Sequence, residues 1–368
     1  MKSSRFHFII LTAAATLTLG ECTPKSHTPT LWSLRADTSS RSLVLNFWDT
    51  ERGYLDYDSA LDTTFHYWPQ AHGLDVLTDW YERSSDKEVL SIYDKWFEGV
   101  PAANEGGWWN PYYDDMEWHA IATLRAYNAT GDKRFLEVSK ELWENIEPAW
   151  NERGGGGMTW KKGMEWSKNA CSNGPAAIAA AMLWQVLGEE RYLQWAGRIY
   201  EWEKNTLFDE GAIYDNINGD TGRVAKLCLT YNQGTFIGAA LELYRITSER
   251  SYIEDAIKAA DYTLEKLSVD GILQNEGERD GGIFKGIFVR YFTRLILYGD
   301  LPDVTADRYV EFLTRNADTL WTQGKNDYRF GPDWRTPPPT PSAMTPQLSG
   351  CMLVEAMALL EKNGLLKQ

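Results

Sequence analysis

The chain has 368 residues, 43% of them hydrophobic and 24% charged, a composition that builds an ordinary globular core and excludes a fibrous or disordered protein. Its 37 Lys and Arg face 52 Asp and Glu, and the net charge of −15 repels nucleic acid and anionic membrane surfaces, so a neutral ligand is expected. The 17 Trp, 19 Tyr and 13 Phe offer flat faces with polar edges, which suit sugar rings as well as cores.

Residues 1–21 read as a secretory signal, because Lys2 and Arg5 precede an apolar stretch, Phe8 to Leu19, that is too short to span a bilayer. Cys22 follows at once, which predicts export to a bacterial periplasm or cell surface and a lipid anchor on Cys22, although Glu21 stands where such signals carry a small residue. Residues 22–39 read as a linker and 40–368 as one catalytic domain, expected to be monomeric. Cys171, Cys228 and Cys351 are scattered, with no CxxC or His-paired spacing, so neither a disulfide framework nor a metal site is expected, and no cofactor.

From residue 80 onward a unit repeats. The segment Gly131-Asp132-Lys133-Arg134-Phe135-Leu136 is echoed by Gly188-Glu189-Glu190-Arg191-Tyr192-Leu193 and by Ser248-Glu249-Arg250-Ser251-Tyr252-Ile253. Phe135, Tyr192, Tyr252 and Tyr309 are 57, 60 and 57 residues apart, a period that means stacked supersecondary units. Each unit pairs a helix apolar nearly all round, such as PAAIAAAMLWQVL, with an amphipathic one carrying Tyr252, Ile253, Ala256, Ile257, Ala260 and Leu264 on one face. Enclosed helices over about 68–83, 114–127, 174–187, 233–245, 285–299 and 346–361, wrapped by half-buried ones, predict an all-α (α/α)6 toroid, its sixth outer helix supplied by residues 32–51. Alternating strand-like runs are scarce.

In such a ring the segments from outer to inner helix emerge at one end, and here they are long and rich in Gly, Asn, Asp and aromatics, as functional loops are. Asp114-Asp115 is the sharpest candidate among them, following Pro111-Tyr112-Tyr113 at the start of an inner helix. One acid there serves as a helix cap worth about 0.5–2 kcal/mol, but a cap does not need two. Two carboxylates on neighbouring residues can lie about 5–5.5 Å apart, the separation of a retaining glycosidase, with one ionised and the other's pKa raised by its neighbour. Glu276 and Glu278 are rival loop acids. Asn169, Asn173, Asn216, Asn232 and Gln233 sit near loop-to-helix joins, where they either hydrogen-bond sugar hydroxyls or cap helices. Trp109, Tyr112, Tyr231 and Trp334 offer stacking faces, and Trp68, Tyr113 and Lys285 complete the expected binding set.

The motif NPYYDDMEW resembles the core of glycoside hydrolase family 76, the bacterial endo-α-1,6-mannanases, with support from WSKNACSNG, LTYNQGTFIGAALELY and GIFKGIFVRY over about residues 40–362. The resemblance implies an (α/α)6 toroid and retaining, metal-free hydrolysis of the α-1,6-linked backbone of fungal-type mannan, with Asp114 as nucleophile and Asp115 as general acid/base. Three alternatives stay open on the sequence: a hydrolase for unsaturated uronyl sugars on the same toroid, a mannan transglycosylase, and a glycan-binding surface lipoprotein without activity.

Overall fold

Twelve α-helices alternate between two rings over residues 30–366, the part of the chain that the computed structural model describes; the signal segment and Cys22 lie outside the described residues. They are α1 (Leu31–Phe47), α2 (Tyr67–Ser84), α3 (Glu88–Ala103), α4 (Tyr113–Thr130), α5 (Lys133–Ile146), α6 (Ala170–Leu187), α7 (Glu190–Thr206), α8 (Thr230–Thr247), α9 (Arg250–Lys266), α10 (Gly281–Tyr298), α11 (Asp303–Thr322) and α12 (Met344–Lys362). The even-numbered helices pack side by side and the ring closes where α12 meets α2, while each odd-numbered helix lies outside an inner one. This is the expected (α/α)6 toroid.

Burial explains the two classes of helix. In α6 every residue from Ala170 to Ala181 is buried, whereas α7 buries a single face through Tyr192, Ala196, Ile199 and Tyr200. Inner helices approach closely where glycine leaves room: a Cβ on Gly234 of α8 would sit 2.6 Å from Phe288 Cα of α10. The repeated Gly or Ser of the sequence pattern is a helix stop. Gly131, Gly188 and Ser248 adopt left-handed backbone angles (φ 74°, 71° and 62°) just past α4, α6 and α8, and the next outer helix starts within three residues.

Three boundaries differ from expectation. Helix α1 starts at Leu31, so residues 31–39 belong to the ring rather than to a linker. Helices α6 and α10 start at Ala170 and Gly281, four residues early, because Gly174, Pro175 and Gly282 punctuate sequence patterns but here lie within helix, against neighbouring helices. Two-residue antiparallel strand pairs also follow four outer helices, for example 208–209 with 212–213 after α7.

A recurring polar residue ties these hairpins to the inner ring. Gln70 of α2 accepts from Leu55 N–H at 2.8 Å and donates to its carbonyl at 2.9 Å. Gln233 of α8 does the same with Ile213 N–H at 2.6 Å and Gly211 O at 2.9 Å, and Gln347 of α12 with Phe330 N–H and Tyr328 O. Asn173 of α6 brackets Met158 through both its N–H and its carbonyl, at 2.8 and 3.3 Å. Each sits at the fourth residue of its helix and is fully enclosed, so the backbone groups of the loops are satisfied without water.

Candidate active site

All six inner helices begin at the same end of the ring, and the starts of five of them, α2, α4, α6, α8 and α10, with their partly positive N-termini, line one cleft of about 620 Å³. Asp114 and Asp115, in the first turn of α4, are half-buried in its wall. A strand at residues 167–169, paired with 216–218 and through it with 223–225, carries Asn169 to the same cleft.

The two acids have different surroundings. Asp114 Oδ2 accepts from Trp160 Nε1–H at 3.1 Å and from the Cys171 thiol at 3.3 Å, and Asp114 Oδ1 accepts the Asp115 backbone N–H at 3.1 Å. Among the described residues no hydrogen bond reaches the Asp115 carboxylate. Burial pushes Asp114 up to about 6, and its three donors work against that rise. Asp115 is raised well above the usual carboxylate range, first by burial and then by the charges of Asp114 and Asp280. One acid is therefore held as the anion and the other as the protonated form, which fits a nucleophile beside a proton donor.

The rest of the cleft is aromatic and acidic. Trp68, Tyr112 and Tyr231 line it as expected, and Tyr231 stacks on Phe284 with centroids 3.9 Å apart and planes 9° apart. Trp68 Nε1–H donates to Asp280 Oδ1 at 3.0 Å, and His66 Nε2 lies 3.2 Å from the same oxygen; the His66 hydrogen bond lowers the Asp280 pKa against burial. Asp215 is held by Asn216 at 2.7 Å and Asn232 at 3.2 Å. Thus Asn216 and Asn232 orient an acid of the cleft instead of lining it themselves. Asp215, Asp280, His66, Trp160, Cys171 and Phe284 were not anticipated; the WSKNACSNG motif pointed at the neighbourhood of Cys171 without singling it out.

Several expected contacts lie elsewhere. Asn173 and Gln233 are the enclosed clamps described above, and Lys285 is a third: its ammonium donates to Pro332 O at 2.5 Å and lies 4.3 Å from the Trp334 ring centroid. Trp334 is wholly enclosed and cannot stack on a sugar. Tyr113 is buried in the core, and Trp109, 48% exposed, stands outside the cleft under Lys162. The rival acid Glu276 caps α8, accepting from Thr230 N–H at 2.9 Å and from the Thr230 hydroxyl. Among the described residues no group of three or more His, Cys, Asp or Glu is placed to hold a metal ion.

Comparison with known proteins agrees with this geometry. The α-1,6-mannanase of Salegentibacter sp. HEL1_6 is 42% identical and superposes with a TM-score of 0.87 over 89% of this chain and 99% of that one. A variant of the same enzyme, inactive through replacement of two consecutive aspartates by asparagine, has been solved with α-1,6-mannotriose; it is 41% identical, with the same coverage and TM-score. The mannan endo-1,6-α-mannosidase of Eremothecium gossypii is 24% identical over an alignment that covers 89% of this chain and 80% of that protein. Residues 32–368 match the sequence model of Glycosyl hydrolase family 76. A paired-aspartate cleft at the mouth of a helical ring, and a family match that spans nearly all of it, place the chain in glycosyl hydrolase family 76.

Proposed function

We propose that the protein is an endo-acting, retaining hydrolase of α-1,6-mannosidic bonds in mannan. The observation that carries this reading is the asymmetry of the acid pair, with three donors on Asp114 and none on Asp115. The Asp114 carboxylate attacks the anomeric carbon and forms a glycosyl ester as the bond to the leaving oxygen breaks; that oxygen takes the Asp115 proton. Asp115, now a carboxylate, removes a proton from water, whose oxygen then attacks the anomeric carbon and frees Asp114. The solved relative's α-1,6-mannotriose complex and its loss of activity without two consecutive aspartates support the substrate and the need for a pair of acids.

Among the residues lining the cleft none is Lys or Arg, which disfavours a uronate as substrate. The intact pair of acids disfavours a glycan-binding role without chemistry. Incubation of the protein with debranched yeast mannan, and separately with an unsaturated uronide, tests the reading. Release of mannooligosaccharides whose new reducing ends first appear as the α anomer supports it, and turnover of the uronide alone overturns it. The amino-terminal segment further supports export to a bacterial envelope and a lipid on Cys22; an unmodified mature terminus beyond Cys22 in mass spectrometry would remove the anchor.

A further inference from the structure

Cys171 is an unexpected residue to find against a catalytic carboxylate. It lies in the first turn of α6, lines the cleft, is 3% exposed, and points its sulfur at Asp114 Oδ2 from 3.3 Å. Trp160 Nε1–H reaches the same oxygen from the loop before α6 at 3.1 Å. Tyr231 of α8 is a further hydrogen-bond partner of the Cys171 side chain and is itself fixed by stacking on Phe284. The sulfur is thereby enclosed between the nucleophile and a rigid aromatic wall.

We propose that Cys171 is a positioning residue for the reaction, its S–H and the Trp160 N–H together fixing the plane and the charge of the Asp114 carboxylate. The proposal rests on Asp114 being the nucleophile. Burial and the neighbouring charge of Asp114 both raise the thiol's pKa, so the group stays protonated and remains a donor. Among the described residues the other ionisable groups around Asp114 are Asp115 and Glu117 on α4, Tyr231 on α8, Asp215 in the loop before α8, Asp280 at the start of α10, and His66, whose imidazole is taken up by Asp280 at 3.2 Å. With no Lys or Arg among the described residues that line the cleft, the carboxylate is ordered by hydrogen bonds. A thiol suits this position because it is a weak donor. It orients the oxygen while withdrawing little of the basicity that a nucleophile needs, whereas several strong donors would push the carboxylate toward an inert, very acidic state.

The test compares Cys171→Ala with Cys171→Ser, using kcat, KM and the pH profile on a mannooligosaccharide, with thermal unfolding as a check on the fold. Cys171→Ala is expected to lose about 10- to 100-fold in kcat with little change in KM, and its acid limb should move to higher pH because one donor to the anion is gone. Cys171→Ser restores a stronger donor, so it should keep most of the activity and move the acid limb to lower pH. Opposite displacements of the two limbs would not arise from a packing role. Wild-type kcat and an unmoved limb in Cys171→Ala overturn the proposal, as does displacement of both limbs in the same direction; should Cys171→Ala fail to fold, the limb of Cys171→Ser decides alone. A separate arm tests the underlying assignment: Asp114→Ala, given azide and an activated α-mannoside, should yield the β-mannosyl azide. The α product would show that Asp114 is not the nucleophile, a failure distinct from that of Cys171.

Discussion

At the end of the ring opposite the cleft Asp75 and Asp79 meet Arg125, each at 2.5 Å, and Arg290 stands 2.9 Å from Asp79, whereas among the described residues no Lys or Arg lines the mouth where Asp114 and Asp115 stand. Burial would raise Asp75, but the Arg290 and Arg125 guanidiniums overcome it and hold the acid well below the usual range. At the mouth the same burial goes unopposed by any positive side chain, and Asp115 rises. The two pairs of acids thus differ in their counter-charge. The acids also differ in place, since Asp114 and Asp115 stand in the first turn of α4 whereas Asp75 and Arg290 lie midway along α2 and α10. An acid with a guanidinium partner holds the scaffold together, and one without is free to exchange a proton.

Substitutions at the two ends should therefore fail in different ways. The largest effect is expected for Asp114→Asn and Asp115→Asn, each losing about 100- to 10,000-fold or more in mannan hydrolysis while helical circular dichroism stays unchanged. Asp75→Asn should do the reverse, removing about 3 kcal/mol of stability in urea unfolding by stranding buried guanidiniums, with kcat of the folded protein preserved. Loss of activity without loss of stability in Asp75→Asn would break the comparison.

Smaller changes sharpen it. In the wild type the acid limb of kcat/KM should fall near pH 6, where Asp114 ionises, and Trp160→Phe should lower kcat about 10-fold and move that limb upward, since a donor to the anion is lost. Glu117, one turn below Asp114, is fully enclosed, with neither oxygen hydrogen-bonded among the described residues, and burial, then Asp114, Glu203 and Asp115, raise its pKa well above normal. Because its folded pKa exceeds the unfolded value of about 4.3, its contribution to stability is complete below that pH and is lost as pH climbs through the raised value. Melting temperature should thus drop between pH 5 and pH 8, and Glu117→Gln should flatten that drop, by about 1.4 kcal/mol for each pH unit separating the two pKa values.

How much could be read beforehand follows from what repeats. The spacing of Phe135, Tyr192, Tyr252 and Tyr309, and the all-apolar against one-faced helices, make the double ring legible because periodic burial is written directly into composition. Asp114-Asp115 is legible because it occurs once, at a helix start, with one acid more than capping needs. Asn173, Gln233 and Lys285 misled for the converse reason. Each is a polar residue near a loop-to-helix join, which reads as a sugar contact, yet Gln70 and Gln347 stand at the corresponding turn of other inner helices and all of them bind loop backbone. Recurrence at the same place in successive units marks scaffold, and that signal was present in the chain. Cys171, Asp215 and Asp280 had no such mark, because they meet the acid pair only through the closure of the ring.

The amino-terminal helix has a further bearing on how the enzyme works in place. Helix α1 runs antiparallel to the inner ring, and at its start Trp32 N–H donates to Glu361 near the end of α12, so both ends of the described chain leave from the face opposite the cleft. A tether upstream of Thr30 would hold the molecule by its back, with the catalytic opening turned toward the surrounding medium and any polymer arriving from it.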